Sequence, residues 1–504
     1  MDSLLIVSPI LLPLATSILV TVFWYHRQVQ SSINFLGASG LLLMGILLTH
    51  SVWVNGIQAV QVGSWPAPFG ITIVVDMFSA LMILITGIIS FSMAIYSLVT
   101  IDRRRKQFGY YTLVNTLYMG VCGAFITGDL FNMYVWFEVM LISSFVLLTL
   151  GGETRQIEGT FKYVTLNLIS SALFLVGVGF LYGMVGTLNM ADLAVKLADY
   201  SNPGLVTVVA MLFLTAFGIK AAVFPVFFWL PASYHTPPIP VTAIFAGLLT
   251  KVGVYSLFRV FTLLFVGNIG FTHTIILVIA GFTMFVGVLG AAAQYDMRRL
   301  LSFHIVSQIG YMIFGLALYT PLAIAGGIFH MLHNIFAKTN LFLISGVLHH
   351  LKGNYDIRKI GSVLNLYPFL AVLFLIPAFA LAGIPPSSGF WSKFFLIKAA
   401  FEDEKYLISF VALVVSLLTL FSMMKIWNEA FWKNHPTQDP DKEPPVQQLF
   451  SRPLVFMIIP IIFFATITLA IGIYPQPLYD VLMRVSHELM NPSEYINVVL
   501  GGRP

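Results

Sequence analysis

A single cysteine, Cys122, stands among 504 residues. It excludes an internal disulfide framework, a Cys-ligated iron–sulfur cluster and a Cys-rich zinc site. Charge is equally scarce. Asp, Glu, Lys and Arg make up 9% of the chain, against about 25% in an ordinary soluble domain. No GxxxxGK[ST] phosphate loop occurs, so ATP-driven transport by this chain alone is not expected. No basic n-region with a small-residue cleavage site marks the start, and the first apolar stretch reads as a retained helix. Apolar types fill 58% of the sequence, with 44 Phe and 20 Met. These read as packing and lipid-facing material in a polytopic membrane protein.

A spanning helix needs about 20 apolar residues. The sequence predicts fourteen such segments, near 3–25, 31–52, 72–100, 110–127, 130–150, 162–186, 204–230, 240–262, 271–293, 300–318, 321–350, 364–400, 406–432 and 453–475. The seventh ends in FPVFFWLP and runs into HTPPIP. The twelfth carries GIPPSSG at its middle. Pro and Gly there free backbone groups, which is tolerated only beside protein or a water-filled cavity.

With the N-terminus outside, 15 Lys and Arg fall in the cytoplasmic loops and 5 on the opposite side. That asymmetry predicts both termini outside, and the net charge of +5 reads as topology rather than nucleic-acid binding. Six basic residues fall inside the spans: Lys220, Lys251, Arg259, Lys338, Lys393 and Lys425. Arg259, near a helix end, is expected to snorkel. Glu138 joins the others in the fifth span. A charge at the bilayer centre costs roughly 2.5–3.5 kcal/mol on insertion scales, so these side chains are expected to face the bundle interior.

Glu138, Lys220, Lys251, His304, His330, His333, Lys338 and Lys393 form a series suited to moving protons. Histidine changes charge near neutral pH unaided. Lysine does so only when desolvation or another cation acts on it, whereas a carboxylate keeps it charged. A Glu138–Lys220 pair would therefore act as a gate. Each of these residues also has a structural reading, as an ion pair or a satisfied core histidine. His330 and His333 share one helix face, yet no third ligand stands at metal-binding spacing, and no metal or cofactor is expected. His349 and His350 read as surface residues, and Glu402, Asp403 and Glu404 as a solvated loop. Asp76 and Asp129, near outer helix ends, read as caps or as a cation mouth. Lys425 is an accessory candidate. Lys220 and Lys251 lie 31 apart and Lys393 and Lys425 lie 32 apart, a weak sign of an inverted repeat. NHPTQDPDKEPP reads as a flexible connector. Leu478, Val481, Leu482, Val485 and Leu489 predict an amphipathic tail helix.

Several long blocks carry a family resemblance. FPVFFWLPASYHTPPIPVTAIFAGLLTKVGVY, QYDMRRLLSFHIVSQIGYM, FHMLHNIFAKTNLFLISG, GIPPSSGFWSKFFL and GDLFNMYVWFEVMLISS resemble the antiporter-like membrane proteins of respiratory complex I and of Mrp-type cation/proton antiporters. The overall wording is most similar to the Mrp branch. The resemblance implies an all-α membrane fold of about fourteen helices. It divides into helices 1–3 over 1–109, a first five-helix repeat over 110–262 and an inverted second repeat over 270–432. A cytoplasmic loop, helix 14 and a tail follow over 433–504, and helices seven and twelve are discontinuous. It places the helix-five carboxylate on Glu138, the lysines of helices seven, eight and twelve on Lys220, Lys251 and Lys393, and the helix-eleven histidine on His330. Where the wider family often has a second histidine, Asn334 stands here and His333 sits one position off.

The expected function is a secondary-transporter subunit in a bacterial cell membrane. It would conduct protons against Na⁺, with Li⁺ or K⁺ as alternatives, together with other membrane subunits. The rival readings are a proton-pumping complex I subunit and a structural membrane scaffold.

Overall fold

Long apolar runs fold as helices in lipid because a helix satisfies its own backbone. A computed structural model describes residues 3–434 and 451–501 and shows this pattern throughout. The long helices are α1 (Ser3–Val22), α2 (Arg27–Asn55), α3 (Met77–Thr100), α4 (Tyr110–Ile126), α5 (Leu130–Thr149) and α6 (Thr154–Val185). Next come α7a (Pro203–Ala221), α7b (Trp229–Ser233), α8 (Ile239–Leu263), α9 (Ile269–Ala292), α10 (Met297–Leu318) and α11 (Pro321–Lys352). They are followed by α12a (Pro368–Ala382), α12b (Ser388–Glu402), α13 (Tyr406–Trp432), α14 (Pro453–Ile473), α15 (Gln476–Met490) and α16 (Ser493–Leu500).

Among the described residues, 12 helices are long and apolar enough to cross a membrane. The fourth and twelfth expected segments supply something shorter: α4 has 17 residues, and α12a and α12b have 15 each. The connector expected after α13 lies almost wholly outside the described residues, as do Lys442 and Arg503. A small hairpin, unanticipated by the sequence, joins α2 to α3. Its strands, β1 (Gln58–Gln61) and β2 (Thr72–Val75), pair antiparallel with Gln58 opposite Val75.

Contacts between loops sort them onto two ends of the bundle. At one end Arg105 pairs with Glu153, Gln156 reaches Thr236 O, Arg298 reaches Pro237 O, and Met297 N donates to Tyr355 O. This is the basic face. At the other end Gly128 N donates to Thr72 O, Met190 N to Gly128 O, and Gln61 to Val499 O.

Helix ends follow ordinary capping chemistry. Asp76 caps α3 through a reciprocal capping box with Ser79. Asp129 caps α5 through Asn132 N. Both are helix caps, and Asp76 is in addition ion-paired to Arg259 at 2.6 Å. Arg259 therefore does not snorkel. It is 5% exposed, donates to Tyr255 Oη at 2.8 Å and lies 5.3 Å from the Tyr495 ring centroid. The reason is the tail: α15, amphipathic as expected with Leu482, Val485 and Leu489 buried, and α16, which carries Tyr495, fold back over this end.

Candidate functional site

The helices packed deepest carry the polar residues. Every residue in the apolar windows of α8 and α11 is buried, against 33% in that of α6. Yet α8 bears Lys251 and Arg259, and α11 bears His330, His333, Asn334, Lys338 and Asn340. A hydrophobic core alone would not select such residues, because each buried polar group requires a partner.

Two helix breaks anchor this line. α7a ends where Ala222 adopts φ 63°, and α7b begins seven residues later at Trp229. The Trp229 indole donates to Ile219 O at 3.0 Å, and Phe224 N donates to Thr283 Oγ1 at 3.0 Å. α12a ends at Gly383, φ 87°, and α12b begins at Ser388. Lys393 Nζ reaches back to Leu381 O and Ala382 O, at 3.0 and 3.1 Å. A Cβ on Gly389 would overlap the Ala380 carbonyl oxygen, so only glycine lets the two half-helices lie this close. A wide turn over Phe245–Leu249 interrupts α8, and Lys251 Nζ donates to Ala246 O within it at 2.6 Å.

Lys220 ends α7a, donates to Ser171 Oγ at 3.1 Å and sits 5.0 Å from the Phe137 ring centroid. It borders a void of about 20 Å³ with Asn167, Tyr163 and Tyr234, room for a single water. Glu138 is half-buried on α5, and its Oε1 is buried without a hydrogen-bond partner. Among the described residues Glu138 and Lys220 form no ion pair. The direct contact expected of this pair is not made.

Farther along, His304 Nε2 meets Ser422 Oγ at 2.5 Å, and Lys338 Nζ donates to Leu301 O at 3.4 Å. His330 joins Gln308 Oε1 at 3.1 Å through Nε2 and Ser392 Oγ at 3.0 Å through Nδ1. His333 Nδ1 meets Ser388 Oγ at 2.9 Å, and the two histidine rings lie 5.6 Å apart. The Tyr311 ring packs against His330 and Lys393: its centroid is 5.1 Å from that of His330 and 4.8 Å from Lys393 Nζ. Both histidines thus reach α12b. Asn334 has neither amide atom bonded to protein.

None of Lys220, Lys251, Lys338 and Lys393 is ion-paired among the described residues. Their ammonium groups lie on carbonyls, a hydroxyl and aromatic faces. Buried atoms of Thr250, His304, Gln308, His333, Asn334, Thr339 and Asn340 lack protein partners along the same stretch. Such atoms are the sites where buried water binds. With several cations and no carboxylate between Lys220 and Lys393, a charge at one position repels a charge at the next. The charge states of these side chains are therefore coupled to one another.

Lys425 stands apart. It donates to Ala292 O and Gln294 O at 2.7 and 2.6 Å and so caps α9 at the basic face. His350 is exposed there. His349 is half-buried and stacked on Tyr355 at 4.1 Å, with Arg298 3.7 Å from the same Tyr355 ring centroid. Tyr355, His349 and Arg298 line a polar cavity of about 460 Å³. Glu402, Asp403 and Glu404 are exposed. The described residues hold no group of three or more His, Cys, Asp or Glu placed for a metal.

The hydroxyl and amide partners Ser171, Ser388, Ser392, Ser422, Gln308 and Tyr311 were not singled out from sequence. Gln308 follows His304 by one helical turn, and Ser392 directly precedes Lys393. Helical spacing around the charged residues carried that signal.

Residues 127–419 match the family described as NADH:quinone oxidoreductase/Mrp antiporter, TM. The D subunit of the Na(+)/H(+) antiporter of Alkalihalophilus pseudofirmus is 44% identical over 496 residues, 98% of this chain and 99% of that one. A chain in the structure of the Mrp complex from Dietzia sp. DQ12-45-1b superposes with a TM-score of 0.91 at 31% identity, covering 99% of each chain. A chain of respiratory complex I from Thermus thermophilus shares the fold, with a TM-score of 0.82 at 22% identity over 99% of this chain and 100% of that one. Near-full-length identity, a matching family and two broken helices at the matching blocks agree: the chain belongs to the antiporter-like membrane subunits common to Mrp antiporters and NADH:quinone oxidoreductase.

Proposed function

We propose that this chain is the proton-conducting subunit of a multisubunit Na⁺/H⁺ antiporter. Protons pass between Lys220 and Lys393 by way of Lys251, Lys338 and the histidines His304, His330 and His333, with Glu138 at the Lys220 end. The observation that carries the reading is the series of buried lysines and histidines, with none of the four lysines ion-paired among the described residues, lined with polar atoms that need water. The membrane potential supplies about 2.3 kcal/mol per charge per 100 mV. With electrogenic coupling, inward proton flow expels Na⁺. The chain makes no covalent bond in this cycle, and Asp76 and Asp129 act as caps rather than ligands for the cation.

The basic face lies in the cytoplasm of a bacterial cell membrane, and both termini lie outside. Excess Lys and Arg in the loops of that face support this orientation. Other membrane subunits complete the antiporter, in keeping with the complex that contains the Dietzia relative. An identity of 44% over nearly the full length to a Na(+)/H(+) antiporter chain, against 22% to the complex I chain, favours this over the complex I role.

The test is Na⁺-dependent ΔpH formation in inverted vesicles carrying the whole complex. Lys251→Ala and Lys220→Ala are expected to lower exchange about 10-fold or more with normal assembly. Full exchange in both variants would rule the path out and favour a scaffold. Stoichiometric flavin and iron in the purified native complex would favour the redox-driven role.

A further inference from the structure

We propose that Ser392 passes protons to and from Nδ1 of His330, and that Gln308 is the positioning residue that keeps the other ring nitrogen a donor. This rests on the reading of the central line as a proton path. His330 is fully buried, so its hydrogen bonds can be counted. Nε2 lies 3.1 Å from Gln308 Oε1, which only accepts, so Nε2 carries a hydrogen whether the ring is neutral or charged. Nδ1 lies 3.0 Å from Ser392 Oγ.

The Ser392 hydroxyl has one hydrogen and two places to put it. It donates to Gly389 O at 2.9 Å, and in that state Oγ can only accept from an Nδ1–H. That arrangement fits the imidazolium. Turned about its Cβ–Oγ bond, the hydroxyl donates to a bare Nδ1 and releases Gly389 O. That arrangement fits the neutral ring. One rotation matches each charge state with a complete set of bonds.

The transfer balances. The Nδ1–H bond breaks and an Oγ–H bond forms, while the hydroxyl, swung off Gly389 O, gives its former hydrogen to a neighbouring water. Serine ends as a neutral hydroxyl, the ring ends neutral, and one proton has left the histidine for water. The Tyr311 ring lies against both the His330 ring and Lys393 Nζ.

The arrangement recurs. His304 Nε2 faces Ser422 Oγ, which donates to Thr419 O at 2.9 Å, one turn back in its own helix. His333 Nδ1 faces Ser388 Oγ. Each of the three central histidines therefore meets a serine hydroxyl from α12b or α13.

Around His330 the titratable and charged groups are His333 and Lys338 of α11, Tyr311 of α10, Lys251 of α8 and Lys393 of α12b. A serine that only packs and one that passes protons are separated by exchange in the whole complex, in vesicles, with assembly followed on native gels. Ser392→Ala is expected to slow Na⁺-driven proton exchange about 10-fold or more, while Ser392→Thr, which keeps the hydroxyl, stays within about 3-fold. Gln308→Leu frees Nε2 to lose its hydrogen, and the pH profile of exchange shifts at unchanged complex yield. Full exchange in Ser392→Ala overturns the proposal. If Lys251→Ala is inactive in the same preparations, the path stands and only the serine step falls. If Lys251→Ala is also fully active, the path itself is wrong. Should Ser392→Ala not assemble, Gln308→Leu decides, and an unmoved pH profile overturns the proposal.

Discussion

The two broken helices use their lysines in opposite ways. In α7 the Ile219 carbonyl accepts from Ala222 N and from the Trp229 indole, and Lys220 keeps one hydrogen-bond partner, Ser171, beside the Phe137 ring. In α12 the lysine itself closes the break, with Lys393 holding Leu381 O and Ala382 O. One break leaves its cation on a single hydroxyl and an aromatic face. The other makes its cation part of the fold. A proton leaving Lys220 loses little structure, whereas a change at Lys393 touches the seam between two half-helices.

This contrast can be broken most severely at Gly389. Gly389→Ala drives a methyl into the Ala380 carbonyl of the preceding half-helix, and overpacking of that kind costs about 1–3 kcal/mol or more. The expected outcome is loss of assembled complex on native gels.

Next come the lysines themselves. Lys393→Ala leaves two buried carbonyls unbonded, at roughly 1–3 kcal/mol each, and is expected to lower the thermal inactivation temperature of the purified complex. Lys220→Ala loses one neutral hydrogen bond, about 1 kcal/mol, and is expected to leave that temperature nearly unchanged while exchange collapses. Equal destabilisation by both would erase the distinction.

The smallest effect lies at the tail. Burial raises the Glu488 carboxyl above its ordinary value, against the hydrogen bond from Arg484. A raised carboxyl means the docked tail binds its proton more tightly than the undocked one. Docking is therefore strongest at acid pH and weakens as pH rises through the carboxylate range. Hydrogen exchange over 476–500 at pH 5 and 8 checks this, and Glu488→Gln should remove the difference.

The helices and both breaks were legible in the sequence because lipid imposes a long apolar period and Pro and Gly interrupt it visibly. The inward placement of Lys220, Lys251, Lys338 and Lys393 was legible because a lysine inside a span is costly unless it faces inward. Arg259 was misread for a related reason. Distance from a helix end suggests water nearby, but here residues more than 200 positions later cover that end. The hydroxyl and amide partners carry no charge, so composition does not flag them, and only their proximity to histidines gives them meaning. The Glu138–Lys220 pair looked like a contact because both residues were assigned similar depth. Depth does not fix the direction in which a side chain points, and Glu138 is half-buried at the flank of α5.

The cover over Arg259 has a bearing on synthesis. Helix α8 leaves the ribosome long before Tyr495 does. Until the tail emerges, the Asp76–Arg259 pair lacks its aromatic cover. A chain cut short before Tyr495 keeps its spans yet exposes an unfinished ion pair at the bundle end. The last residues made thus complete the packing around an ion pair laid down by the first half of the chain.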